Sequence, residues 1–302
     1  MDALDDMRIF VATVDARGFT PASDRLGLSK QFVSRRVGAL EERLGVRLLL
    51  RTTRRLSVTD LGRAYYERAV KIIEEVDDVE GMVANQGGRP RGMLRVSAPM
   101  SFGTLHLGPV IGRFLAEQPD MRMEVMLNDR TVDIVGEGFD MAIRIGVLPD
   151  SSLIARAVGQ TDLIACCSPG YIAAHGRPES PRDLAHHECL LYGHGRGVEW
   201  PFVVDGEPCH VAVNGRLLAN NGELALASAT QDLGIALLPS FIVRDAMARG
   251  ELVAILEAFV PPPLTVYAVY PQHRQASRAV QAFVEMLIRA FCGAEWHVRR
   301  AA

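Results

Sequence analysis

Gln31, Ser34 and Arg35 stand three and one residues apart in the run Ser29-Lys30-Gln31-Phe32-Val33-Ser34-Arg35-Arg36-Val37. On a helix that spacing puts them on one side. Their shared chemistry is the reading of hydrogen-bonding edges. A glutamine amide pairs bidentately with adenine, a guanidinium with guanine, and a serine hydroxyl with several base edges. Lys30 and Arg36 flank the three with positive charge. Thr20, Ser29, Arg51, Thr52, Thr53, Arg54 and Arg55 bring hydroxyls and guanidinium groups suited to phosphate or the minor groove. Contacts of that kind position a protein on a duplex without reading its sequence.

Three short helices must hold those side chains in place. Leu4, Met7, Val11 and Val14 make an apolar stripe on the first, which Gly18 stops. Thr20 is the expected N-cap of the second, with Pro21 at its first position and Ala22 and Leu26 buried. Gly27-Leu28-Ser29 turns the chain, and Ser29 caps the third helix. There Val33, Val37, Leu40 and Leu44 form the inward stripe, so Gln31, Ser34 and Arg35 must face out; Gly45 closes the helix. Two helices joined by a short glycine-containing turn make a helix-turn-helix. Val46–Leu50 and Leu56–Val58 then read as a two-stranded hairpin with the basic tip 51–55.

Charge agrees with this reading. Residues 17–58 carry ten Lys/Arg against three Asp/Glu, while the rest of the 302-residue chain carries 33 acids against 23 bases. A basic segment on an acidic body is the footprint of a nucleic-acid reader attached to a separate sensor. The 48% hydrophobic and 23% charged composition excludes disorder, collagen and coiled-coil rods for the whole chain. No apolar run reaches the ~18 residues of a membrane span. The acidic start Asp2-Ala3-Leu4-Asp5-Asp6 has no apolar signal core, so a cytoplasmic location is expected. Five cysteines, an odd number in a large chain, fit a reducing compartment.

Thr59 is expected to cap a long helix reaching about Gln86. Gly62, Tyr65, Ala69, Ile72, Val76, Val79 and Val83 alternate in steps of three and four, a heptad seam for a helix of a second subunit. Gly87-Gly88-Arg89-Pro90-Arg91-Gly92 reads as a hinge. Beyond it, strands are expected at 93–98, 122–127, 140–145, 162–167, 198–204, 210–214, 234–238 and 264–270. Helices are expected near 103–117, 131–136, 169–175, 221–231, 239–248 and 275–291. That alternation predicts an α/β fold with largely parallel sheets.

Ser29 to Leu48 and Arg51-Thr52-Thr53-Arg54-Arg55-Leu56-Ser57-Val58-Thr59-Asp60-Leu61-Gly62 resemble the signature of the LysR-type transcriptional regulators. The resemblance continues through Leu94–Pro99, Glu137–Gly146 and Gly234–Pro239, and so covers essentially the whole chain. It implies an α+β multidomain protein. Residues 1–61 would be a winged helix-turn-helix, 62–92 a dimerising helix and hinge, and 93–302 a two-lobed α/β effector domain resembling periplasmic binding proteins. Lobe I would take about 93–162 and 265–302, and lobe II about 163–264. It also implies dimers that pair into tetramers on double-stranded promoter DNA. No enzyme activity is expected, because no nucleophile–base or metal constellation stands in the sequence. Lys30 departs from the pattern, standing where a small residue or proline is frequent, and adds charge beside the DNA. The resemblance places a small-molecule effector between the lobes. Pro99, Met100, Ser101 and Phe102 would line the site, the helix start at Asn220-Asn221 would face it, and Ser101, Arg144 and Asn221 would grip a small carboxylate; the alternative for Arg144 is a pair with a nearby acid such as Asp129 or Glu137.

Other chemistry is poorly supported. His186, His187, His194 and His210 lack metal-ligand spacing, so no metal site or cofactor is expected. Cys166-Cys167 reads as two small buried hydrophobes, and Cys189 with Cys209 as the weaker, redox-pair alternative. Gly193–Gly197 opens no expected helix and is no phosphate cradle. The alternative function is a two-lobed solute-binding module whose N-terminal helices serve only oligomerisation. The ten bases of residues 17–58 argue against it.

Overall fold

A computed structural model describes residues 2–51, 56–84, 89–193 and 198–291, without the side chains of residues 51, 74 and 77–84. Contacts divide the chain into two units, Met1–Gly88 and Arg89–Ala302.

The first unit runs α1 (Ala3–Asp15), α2 (Phe19–Leu26), α3 (Lys30–Leu44), β1 (Leu49–Arg51), β2 (Leu56–Val58) and α4 (Asp60–Ala84). Asp2 and Asp5 form a reciprocal capping box on α1. Its buried face is Asp6, Ile9, Phe10 and Thr13, not the expected Leu4, Met7, Val11 and Val14, which are only half-buried. The phase is set by partners distant in sequence: Phe10 meets the Tyr65 ring edge-on at 5.4 Å, and Asp6 meets Arg36. Thr20 lies inside α2, whose N-cap is Gly18. Pro21 fits anywhere in a first turn, where N–H groups have no helical partner, so it does not mark the start. In α3 Val33, Val37 and Leu40 are fully buried, whereas Leu44 is exposed. Ser29 caps this helix through its Oγ, and Gly45 ends it with φ +68°. β1 and β2 pair antiparallel, Leu49 opposite Val58.

α4 starts at Thr59, whose Oγ1 accepts from Gly62 N at 2.9 Å and donates to the carbonyls of Arg47 and Leu48. The helix passes so close to β1 that a Cβ on Gly62 would stand 2.1 Å from the Leu48 carbonyl oxygen. Alanine normally stabilises a helix interior relative to glycine. Here Gly62→Ala is instead expected to cost about 1–3 kcal/mol, the scale of overpacking. Gly112→Ala, whose added Cβ meets nothing within 4 Å, is the control expected to be neutral or better. Urea titrations of both variants followed by far-ultraviolet dichroism check the contrast.

The second unit holds β3 (Gly92–Ala98), α5 (Met100–Phe102) continuing through the π turn Gly103–Leu107 into α6 (Gly108–Glu117), β4 (Met121–Leu127), β5 (Met141–Ile145), β6 (Ile154–Thr161), β7 (Leu163–Cys167) and α7 (Pro169–His175). There follow a 3-10 turn (Pro181–His186), β8 (Cys189–Tyr192), β9 (Glu199–Val204), β10 (Glu207–Ala212), β11 (Leu217–Ala219), α8 (Gly222–Ala229), β12 (Ile235–Pro239), α9 (Ser240–Ala248), β13 (Val253–Ala254), β14 (Leu264–Tyr270) and α10 (Arg278–Phe291).

Two five-stranded sheets result, ordered β4-β3-β5-β14-β6 and β11-β8-β12-β7-β13, with β9-β10 a separate hairpin. They are mixed, not largely parallel. β4-β3-β5 and β11-β8-β12 are parallel triplets, and the remaining strands run antiparallel to their neighbours. Residues 131–136, expected as a helix, form a turn. Val132 and Ile134, two residues apart, are both buried, and Asp133 Oδ1 accepts from Gly136 N. One apolar core spans both sheets, from Val96 and Phe102 through Leu190 and Leu238 to Phe283.

Candidate nucleic-acid interface and ligand cavity

On α3 the side opposite Val33, Val37 and Leu40 presents exposed Lys30, Gln31 and Arg35, with Ser34 half-buried at its base. The Arg35 guanidinium lies 5.6 Å above the Phe32 ring, which supports it without enclosing it. Thr20 is exposed on α2, and so is Ser29 at the cap. Arg36 differs from the expectation. It is mostly buried and turned back onto Asp6, which is itself 8% exposed and has Arg43 at 3.7 Å. A buried carboxylate needs a partner, and that demand draws Arg36 off the outer face. The side chains of Arg51, Thr52, Thr53, Arg54 and Arg55 lie outside the described residues.

Glu41, on the inner face of α3 and 3% exposed, fixes the hairpin to the helix. Its Oε1 accepts from Leu48 N at 2.8 Å and Leu49 N at 2.9 Å, and its Oε2 from Arg47 Nη1 at 3.1 Å. One carboxylate therefore sets the register between the helix and the basic strand pair. The charge of Glu41 drew no notice in the sequence, because its position among Glu41-Glu42-Arg43 reads as surface.

The α4 seam divides. Tyr65 and Ala69 pack into the core of their own unit, Ala69 almost fully buried. Ile72 is 41% exposed and Val76 half-buried. The side chains of Val79 and Val83, like the hinge glycines 87 and 88, lie outside the described residues.

In the second unit a cavity of about 780 Å³ opens beyond the carboxyl ends of β3, β4, β5, β8 and β12. Ligands favour that end of parallel strands. Pro99, Ser101, Phe102 and Arg144 line it as expected. Met100, Asn220 and Asn221 do not. Met100 uses its amide on Asp129 Oδ1, Asn220 is exposed, and Asn221 caps α8 by accepting from Leu224 N at 2.9 Å. Ser101 and Asn221 already hold a carboxylate, and it belongs to the protein. Glu223 Oε2 accepts from Ser101 Oγ at 2.6 Å and Asn221 Nδ2 at 2.7 Å. A glutamate in the first turn of a helix is so ordinary that it carries no signal in the sequence.

Arg144 is the opposite case. Its Nη2 is buried and has no hydrogen-bond partner among the described residues. Burial lowers its pKa, as does Arg130 nearby, while Glu137 pulls the other way. Glu137 is committed elsewhere, in a two-pronged pair with Arg130, and that bond holds its carboxyl below the usual range. Asp129, Tyr192 and Phe241 also line the wall, and Tyr192 and Phe241 carry no signal of this in the sequence. Burial, with Asp129 and Glu223 beside it, pushes the Tyr192 phenol up to about 12.

Cys166 and Cys167 are buried in β7, and burial pushes their thiols up to about 12 and about 11. Cys189 and Cys209 are free thiols. His194 lies outside the described residues, among which no cluster of three or more His, Cys, Asp or Glu could hold a metal. No described helix is long and apolar enough to cross a membrane.

Fold and surfaces together define a two-part regulator: a helix-turn-helix unit joined to a two-sheet ligand-binding unit. Residues 4–63 match the model for bacterial regulatory helix-turn-helix proteins of the lysR family, and residues 87–292 that for the LysR substrate binding domain. An HTH-type transcriptional regulator of Haemophilus influenzae is 35% identical, across 91% of this chain and 96% of its own. The HTH-type transcriptional regulator PtxR of Pseudomonas aeruginosa is 36% identical, across 94% and 91%. CrgA, a LysR-type transcriptional regulator of Neisseria meningitidis, superposes with a TM-score of 0.61 at 29% identity, covering 96% of this chain and 98% of that one. The chain belongs to the LysR family of transcriptional regulators.

Proposed function

We propose that a dimer of this chain, assembling further to a tetramer, reads operator DNA in the cytoplasm and answers to a small carboxylate. Gln31, Ser34 and Arg35 read base edges in the major groove, and Lys30 beside them meets phosphate. Thr20, Ser29 and the basic tip, Arg51 with residues 52–55, hold phosphates. Ile72 and Val76, continued by Val79 and Val83, pair with the same helix of a second copy. The carboxylate sits in the cavity with Arg144. The observation that carries the reading is the two-sidedness of α3: one face has Val33, Val37 and Leu40 fully buried, and the other offers exposed Lys30, Gln31 and Arg35. Early residues of such a helix are the ones that reach bases.

Selection of binding sequences from a random duplex pool tests it. The full chain should enrich a dyad-symmetric site with half-sites about one or two helical turns apart. The variant Ile72→Asp with Val76→Asp should sediment as a smaller species and enrich nothing, because a charge in an apolar seam costs several kcal/mol, on the order of 2–7 for a polar group without a partner. Enrichment without symmetry, or a double variant that sediments and selects like the wild type, would contradict the dimeric reading.

A further inference from the structure

We infer that Glu223 determines specificity in the cavity: bound to the lining residue Ser101, it supplies the protein's own carboxylate where a second anion would sit, so the site takes monocarboxylates and rejects dicarboxylates. The inference rests on the reading above that a small acid binds at Arg144. The cavity-lining donor that would serve a second carboxylate is Ser101 Oγ, and it ends on Glu223 Oε2 at 2.6 Å; Asn221 Nδ2, outside the lining, holds the same oxygen at 2.7 Å and also donates to Met100 Sδ at 3.2 Å. Ser101 is 2% exposed, so its hydroxyl has no second orientation in water to fall back on.

The wall beside it is also acidic. Asp129 lines the cavity, and Tyr192 stands where it feels both Asp129 and Glu223. The cavity is therefore polarised. Among the described residues Arg144 offers a buried N–H without a partner, and Ser101 offers a hydroxyl already bound to a negative charge. A ligand suited to it has one carboxylate for Arg144, an apolar body for Phe102, Pro239 and Phe241, and a hydrogen or a donor such as hydroxyl at its far end. A second carboxylate at Ser101 would find that hydroxyl already given to Glu223 and would stand near the charges of Asp129 and Glu223, and like charges repel strongly in a partly desolvated space.

The test uses the full chain and matched acids: butyrate with succinate, hexanoate with adipate, and benzoate and 4-hydroxybenzoate with terephthalate, titrated calorimetrically. The wild type should bind at least one monocarboxylate and its dicarboxylate partner roughly tenfold or more weakly. Glu223→Gln keeps an acceptor for Ser101 and Asn221 but removes the charge, and should bring the pair to within about threefold. Glu223→Ala frees both donors and should favour the dicarboxylate. Arg144→Ala should lose both acids. Equal binding of matched pairs by the wild type, or ratios unmoved in both Glu223 variants while Arg144→Ala still abolishes binding, overturns the role of Glu223 and leaves the carboxylate reading standing. No acid bound by the wild type, or unchanged binding by Arg144→Ala, overturns that reading and this inference with it.

Discussion

Glu41→Ala is expected to loosen the DNA-binding unit more than any other single change considered. The side chain is 3% exposed and accepts from two backbone amides, Leu48 N and Leu49 N, on residues that are themselves 1% and 2% exposed. Removing it leaves two buried donors without partners. Each costs about 1–3 kcal/mol, so about 2–6 together, against a typical total of about 5–15 for a domain. Arg47, well exposed, merely returns to water. Glu41→Gln keeps one acceptor oxygen for the amides and loses the charge, so it should cost a fraction of that. Hydrogen exchange at Leu48 and Leu49 reads the effect directly, and protection in the alanine variant should fall by roughly thirtyfold or more. Both Trp200 and Trp296 lie outside this unit, so tryptophan fluorescence should barely move. Unchanged protection at both amides would show that the hairpin is held by other means.

Much of the reading unit was legible because its determinants are local. Ser29, Gly45 and the spacing of Val33, Val37 and Leu40 define α3 without reference to the rest of the chain. What failed was whatever a distant partner decides. The phase of α1 depends on Tyr65 and Arg36, and Tyr65 and Ala69 left the heptad seam because α1 packs against α4. In the second unit most longer strands with strong apolar runs were visible, whereas β6, β11 and β13 were not, nor was β8, an apolar run of only four residues, Cys189–Tyr192. β6 is an edge strand with Arg156 and Gln160 exposed, and β11 and β13 have three and two residues. The cavity was half legible. Pro99, Ser101, Phe102 and Arg144 line it, but the bond from Ser101 to Glu223 joins residues 122 apart in the chain. No local pattern encodes it.

Arg35→Ala is the second large effect. The side chain is exposed, stands with Gln31 on the outer side of α3 and lies over the Phe32 ring, so its removal is expected to leave the fold intact. A bidentate contact to guanine is worth about 1–3 kcal/mol of discrimination. A dimer makes it twice, so the selected site should lose about 2–6 kcal/mol. Lys30→Ala should behave differently. A lysine acting on phosphate weakens all sequences alike and reduces the salt slope by about one contact per subunit. The decisive measurement is the affinity of wild type and Arg35→Ala for the selected duplex and a scrambled duplex of equal length, across a salt series. The account predicts that Arg35→Ala falls on the selected duplex and hardly changes on the scrambled one, so that the ratio between them collapses. Equal weakening on both would mean that α3 touches the backbone and does not read bases.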